Sequence, residues 1–474
     1  MPSFVIVAVG ILIVLGLIIR LRINAFIALT TAALVVSFLA PGESADKVNR
    51  VAAEFGNAAG KIGLVIGFAA VIGEAMMRSG AADRIVQAFV QLMGEQRAPW
   101  ALMSSGFVLS VPVFFDTVFY LLVPLARSLH RKTGRNFLLY ILAISAGGAI
   151  THTLVPPTPG PLAMAVTLKI SVGLMIAVGI LVAIPAAVSG MFFARIMDSR
   201  MKIESLGDEP TSPAMMEATA QQAVDMENTF EVPTPETEMN LWEALLPVVL
   251  PVILISGDTV VGTFMPESGD NWATALRPYT SLAGNPSLAL LLSMTAALFT
   301  WVRLKSPDGK TFGDAVETAL LSGGLVILIT AAGGAFGAML KVTNIANDIK
   351  ALFDGSGAVG LVSLLLAFGM AALLKVAQGS STTAMITVSA MMASMNLTAE
   401  TLGFNPVYLA TSIGAGSLIG SWMNDSGFWI VAKMSGLTET EALKTWTPLL
   451  LVLGTVSLLV TILLSFVMPL TTVS

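Results

Sequence analysis

Long apolar stretches separated by short polar runs set the pattern of this chain. They predict membrane-crossing helices over 2–20, 23–40, 61–78, 136–168, 171–195, 241–262, 286–302, 323–341, 405–435 and 446–470. The stretches Pro2 to Ile19 and Ser171 to Ala194 carry no charge at all. Either would cover the roughly 30 Å of a bilayer's hydrocarbon core as a helix. Two further apolar stretches, 98–128 and 357–397, are interrupted near the middle by "VPVFFDT" and "AQGSSTT". They read as re-entrant hairpins, entering and leaving on one side. Interruptions also fall in 136–168, at "PPTPGP", and in 405–435, at "NDSG". Those two read as broken helices that still cross. The expected fold class is an all-α polytopic membrane protein.

Composition sharpens this picture. Of 474 residues, 55% are hydrophobic and 12% charged, about half the charge of an ordinary soluble domain. Glycine (42 residues) allows close helix packing and local breaks in membrane helices. The absence of cysteine excludes disulfides, thiolate metal sites and cysteine nucleophiles. The first apolar stretch has no basic run ahead of it and no small-residue cleavage site, so it reads as a span rather than a signal peptide.

Loop charge sets orientation. With both termini outside, 17 of the 25 lysines and arginines fall in inside loops and seven in outside ones, with Lys375 inside the second hairpin. That bias agrees with the positive-inside rule. Residues 201–240 hold nine acids and one base, for a net charge of −8, and leave +3 on the rest of the chain. The segment 203–240 is expected as an acidic cytoplasmic linker between an N-terminal half, 1–202, and a C-terminal half, 241–474.

The halves resemble each other. "GLVIGFAAVIGEAMMRSG" from Gly63 matches "GLVILITAAGGAFGAMLK" from Gly324. When Ser145 is laid on Ser412, Gly147 meets Gly414, Gly160 meets Gly427, and the polar breaks coincide. Each half then has five crossings and one hairpin, and an odd number inverts the second half. Inverted halves with matched broken helices point to a secondary transporter.

A helix opened within the membrane exposes N–H groups at one new end and C=O groups at the other. Lipid cannot satisfy them, so they must line protein or a wet cavity. N-terminal ends attract anions. The four breaks offer Asp116 and Thr117; Thr158 and Gly160; Ser380, Ser381, Thr382 and Thr383; and Asn424, Asp425, Ser426 and Gly427. Hydroxyls there can cap a helix or bind a carboxylate, and Gly427 would permit the opening. Asp116 and Asp425 are costly to keep in a membrane and are candidates for carrying a proton. Glu74 and His152 are reserves for that role. Each has a structural reading too, as a bonded or packed side chain, and His130 in a basic loop reads as structural. Lys375 would snorkel or pair with an acid. No zinc ligand set, phosphate loop or catalytic triad stands out. No enzyme activity, cofactor, metal or nucleic-acid partner is expected; the partners are a small organic anion, protons and lipid.

The segments "PVFFDTVFYLLVPLARSLHRKTGRNFLLY", "HTLVPPTPGPLA", "GSSTTAM" and "GSWMNDSGFWIVAKMSGLTETEALKTWT" resemble the gluconate permease family of bacterial proton symporters. The resemblance implies inward, proton-coupled transport of gluconate or a similar small hydroxy acid across the inner membrane. It also implies two inverted repeats, a homodimeric scaffold and an elevator motion of 98–168 and 357–435. On this reading the substrate carboxylate docks at Ser380, Ser381 and Thr382 with Thr158 and Gly160 opposite, and its hydroxyls bond Asp116, Asn424 and Thr117. The tip reads "GSST" rather than the "SNT" of dicarboxylate carriers, which lowers dicarboxylates and sodium coupling. A sodium-coupled carrier or exchanger of small organic anions in the same fold is the alternative, and a passive channel a more distant one.

Overall fold

The computed structural model describes residues 3–21, 23–44, 46–94, 97–133, 136–201, 239–264, 272–343, 359–423 and 425–471. Nearly all of the segment expected as a linker lies outside the described residues, and so does Asn424. The described residues are helical, without strands. In chain order the helices are α1 Ser3–Leu15, continued by a π-helical turn Gly16–Arg20, α2 Ala25–Leu39, α3 Asp46–Ser79, α4 Ala81–Met93, α5 Ala98–Leu109, α6 Phe115–Thr133, α7 Phe137–Leu154, α8 Pro159–Thr167 and α9 Val172–Arg200. The second half supplies α10 Leu241–Phe264, α11 Trp272–Ala283, α12 Pro286–Lys305, α13 Gly309–Val342, α14 Val359–Gln378, α15 Ser381–Ser394, the single turn α16 Ala399–Leu402, α17 Val407–Gly416, α18 Ser426–Ser435 and α19 Glu439–Val467. Eight helical segments among the described residues are long and apolar enough to cross a membrane.

Local chemistry sets the helix ends. Asn24 accepts from the Phe26 N–H at the start of α2, and Asn285 accepts from Ser287 and Leu288 at the start of α12. Thr438 and Glu441 form a reciprocal capping box on α19. After α7 come two prolines, Pro156 and Pro157, joined by a cis bond. They cannot continue the helix, whereas Pro159 suits the first turn of α8.

Burial sorts the spans into centre and periphery. Over its most apolar stretch the broken span Phe137–Thr167 is 94% buried, whereas Pro286–Lys305 is 28% buried and faces outward. Around this centre, α5 packs on α7 and α14 packs on α17. Glycines set both contacts. A methyl group at Gly147 would lie 2.1 Å from the Met103 carbonyl oxygen, and one at Gly416 would lie 2.2 Å from that of Phe368. The inner helix of each hairpin meets the far side of the other half's break: α15 packs on α8, and α6 packs on α18. The long helices α3 and α13 pack together further out, with α2 and α12 against them.

The arms of the second hairpin are unequal. Val359–Val376 in α14 is itself long enough to cross, whereas α15 has 14 residues. The break in 405–435 is also longer than "NDSG": the helix stops at Gly416 and resumes at Ser426. Left-handed backbone occurs there at Gly420, with φ of 73°. Gly427, expected to open the helix, instead sits inside the first turn of α18.

Candidate functional site

α14 is an apolar helix with a single charge, Lys375, one turn from its end. Gly379 follows it with φ of 82° and donates its N–H to the Lys375 carbonyl at 2.8 Å. Only glycine adopts this conformation without strain. The lysine side chain folds back toward the tip and is 1% exposed. Its Nζ donates to the Gly379 carbonyl at 2.6 Å and to Asp425 Oδ2 at 2.6 Å. Asp425 is buried just ahead of α18, and its Oδ1 accepts from the Gly427 N–H at 3.1 Å. Ser421 Oγ donates to Asp425 Oδ2 and accepts from Trp446 Nε1 at 2.7 Å. Thr447 Oγ1 donates to the Ser421 carbonyl at 2.5 Å. A buried charge pair persists only when its remaining polar atoms find partners, and here three donors converge on one carboxylate.

The first hairpin reaches this network through an aromatic contact. The Phe115 ring stacks on Trp446 with centroids 5.4 Å apart. Asp116 follows in the first turn of α6 and lies within electrostatic range of both Asp425 and Lys375. Thr117 is half-buried beside it. On the other side, the start of α15 abuts the start of α8: a methyl group at Gly160 would meet Met385 Cε at 2.2 Å and lie 3.8 Å from Thr382 Cα. Ser380 Oγ caps α15 by accepting from the Thr383 N–H at 3.2 Å. Ser381 Oγ donates to the Ser417 carbonyl at 2.8 Å, which ties the hairpin tip to the break after α17. Thr158 Oγ1 bridges its own break by donating to the Val155 carbonyl at 2.6 Å.

Two small clusters therefore share the centre. Gly160, Ser380, Ser381 and Thr382 form one, with Thr158 at its edge. Asp116, Lys375, Ser421, Asp425 and Gly427 form the other, and the tip residues Gly379 and Ser380 join them. Glu74 is elsewhere: it pairs with Arg78 one turn on in α3, at 2.6 Å, and Arg78 lies over the Trp301 ring. His152 packs 5.9 Å from Phe114, and its Nδ1 is buried with no hydrogen-bond partner among the described residues. No cluster of three or more metal-ligating side chains occurs among the described residues.

From the sequence, Lys375 is expected to snorkel or pair with an acid, and it pairs with Asp425; Ser421 and Trp446, which complete the network, are not among the residues singled out there. A lone cation in an apolar helix is itself a signal of function. Ser421 lies in a glycine- and serine-rich run, and Trp446 opens the expected span 446–470.

One cation, two carboxylates and a set of hydroxyls are thus held among broken helix ends inside a bundle of membrane-length helices. The chain belongs to the GntP family of permeases, whose family model matches residues 2–467. It is a multi-pass membrane protein of a family of permeases rather than enzymes. A gluconate permease of Bacillus subtilis (strain 168) is 31% identical over 474 residues, covering 98% of this chain and 99% of the relative. An L-idonate transporter of the Gnt-II system of Escherichia coli (strain K12) is 28% identical over 446 residues, 94% of each chain. Among solved structures, the YdaH transporter of Alcanivorax borkumensis has the same overall fold, with a TM-score of 0.60, 16% identity, and coverage of 94% of this chain and 98% of that one.

Proposed function

We propose that this protein is a proton-coupled symporter that carries gluconate, or a similar small hydroxylated monocarboxylate, inward across the bacterial inner membrane. The observation that carries this reading is the buried Lys375–Asp425 pair, formed between the tip of the second hairpin and the break before α18, with Asp116 of the first hairpin in electrostatic range. A fixed cation suits a carboxylate, neighbouring hydroxyls suit a polyol chain, and carboxylates at the same place suit a proton. Relatives named for gluconate and for L-idonate support a six-carbon sugar acid.

The carboxylate docks near Ser380, Ser381 and Thr382, with Thr158 and Gly160 opposite. The hydroxyls face Asp116, Thr117 and Asn424. Asp116 or Asp425 carries the proton, with His152 next in line; Glu74, tied to Arg78, is the weakest candidate. The matched packing of α5 on α7 and α14 on α17 supports two repeated halves, 1–202 and 241–474, which we take as inverted and joined by the acidic linker 203–240. Hairpins 98–128 and 357–397 with broken spans 136–168 and 405–435 form the moving part of an elevator, carried by a homodimeric scaffold. Both termini face the periplasm.

Labelled gluconate uptake into proteoliposomes tests this. An inward proton gradient should drive accumulation above equilibrium, a protonophore should abolish it, and replacing sodium at fixed pH should leave it unchanged. Equilibration without accumulation would instead indicate a channel, and dependence on sodium a sodium-coupled carrier.

A further inference from the structure

We infer that Lys375 is a shared countercharge: it bonds Asp425 and, on binding, is claimed by the substrate's carboxylate, so that Asp425 takes up the coupled proton. The inference rests on the symport reading above and adds to it the group that links anion to proton.

The geometry carries it. Lys375 Nζ bonds at once to Asp425 Oδ2 and to the carbonyl of Gly379, the residue just before Ser380. A carboxylate docked at the first turn of α15 therefore arrives beside an ammonium that already faces the tip. Two carboxylates cannot both hold one buried cation at full strength, because the second brings an uncompensated negative charge into a low-dielectric site. Protonation of Asp425 removes that charge. Atoms and charge balance: one proton from water binds Asp425 Oδ2, the Nζ···Oδ2 bond breaks, and an Nζ···substrate carboxylate bond forms. On release the proton leaves, and the original pair re-forms.

The surroundings of Asp425 fit both states. Ser421 Oγ donates to the carboxylate and accepts from Trp446. A hydroxyl has one donor and two acceptor positions, so it can turn and accept from a protonated Asp425 while keeping the indole bond. Gly427 N–H continues to hold Oδ1 in either state. Among the described residues, the titratable or charged groups facing Asp425 are Lys375 from α14 and Asp116 from α6, and Tyr120 lies one turn beyond Asp116. The tip glycine holds the Lys375 backbone through its N–H, so the exchange needs rotation about the lysine's side-chain bonds only.

A neutral pair tests this without leaving a lone buried charge. The double variant Lys375→Gln, Asp425→Asn can keep a side-chain hydrogen bond where the ion pair was. With a monodisperse elution profile, it should lose proton-driven gluconate accumulation, with half-saturation raised about 10- to 100-fold. Asp425→Asn alone keeps the cation and should exchange labelled for unlabelled gluconate across the membrane without accumulating it. In weakly buffered detergent solution, gluconate added to the wild-type protein should draw about one proton from solution per site, and Asp425→Asn should draw none.

A double variant that accumulates gluconate like the wild type would make the pair a structural tie and overturn the inference. So would accumulation by Asp425→Asn. A wild-type protein that fails to accumulate gluconate would instead strike the symport reading itself, and this inference would fall with it.

Discussion

Ser421 holds more of the site together than its size suggests. Its hydroxyl stands between the Trp446 indole and the Asp425 carboxylate, and both of those are buried. Ser421→Ala removes the acceptor of the indole and one of three donors to the carboxylate. An unmatched buried polar group costs about 1–3 kcal/mol. We expect thermal unfolding in detergent to show a loss of that order. Ser421→Thr keeps the hydroxyl and should recover most of it. At Thr382, which adjoins Gly160 in the first turn of α15, Thr382→Val keeps the shape and removes the hydroxyl. If that hydroxyl bonds substrate, the half-saturating concentration for uptake should rise about tenfold with little change in stability. An unchanged value would remove Thr382 from the binding set.

At the scale of helices, small residues decide which elements touch. α5 and α7 approach so closely that a methyl group on Gly147 would lie 2.1 Å from a backbone oxygen, that of Met103. Backbone cannot step aside, so Gly147→Ala should force the two helices apart, cost about 1–3 kcal/mol or more, and lower the yield of folded protein. Gly160→Ala meets a methionine methyl group at a similar 2.2 Å, but that is the far end of a flexible side chain, so the cost should be much smaller. Comparing melting temperatures of the two variants tests the distinction.

These elements were legible in the sequence to different degrees. Uncharged runs and the interruptions at "VPVFFDT", "PPTPGP" and "AQGSSTT" marked helix ends well, because proline, glycine and polar runs act locally. The break after Gly416 was harder to place, since no charge or proline stands at its start and "AGSLIGS" reads as ordinary close-packing sequence. The Lys375–Asp425 pair was hardest. Its members are 50 residues apart, and nothing local tells a lysine in an apolar helix which of several carboxylates it will meet. Glu74 is the opposite case, since its partner Arg78 stands one turn away in α3, within reach of a local reading.

For the molecule as a whole, the contrast between a 94% buried centre and spans that are 28% buried implies uneven dynamics. Amide hydrogen exchange should be slowest in α7, whose backbone bonds are shielded by protein on every side, and faster near the ends of the outer helices. Uniform protection across the spans would argue against a rigid central block. The link from Trp446 through Ser421 to Asp425 adds an optical consequence. An indole's emission responds to the electric field across its ring, and this one is two hydrogen bonds from a carboxylate whose charge is proposed to change. Of the seven tryptophans in the chain, Trp446 is thus wired to the centre, so the molecule carries its own lamp, and its colour can be followed through each turn of the cycle without a label.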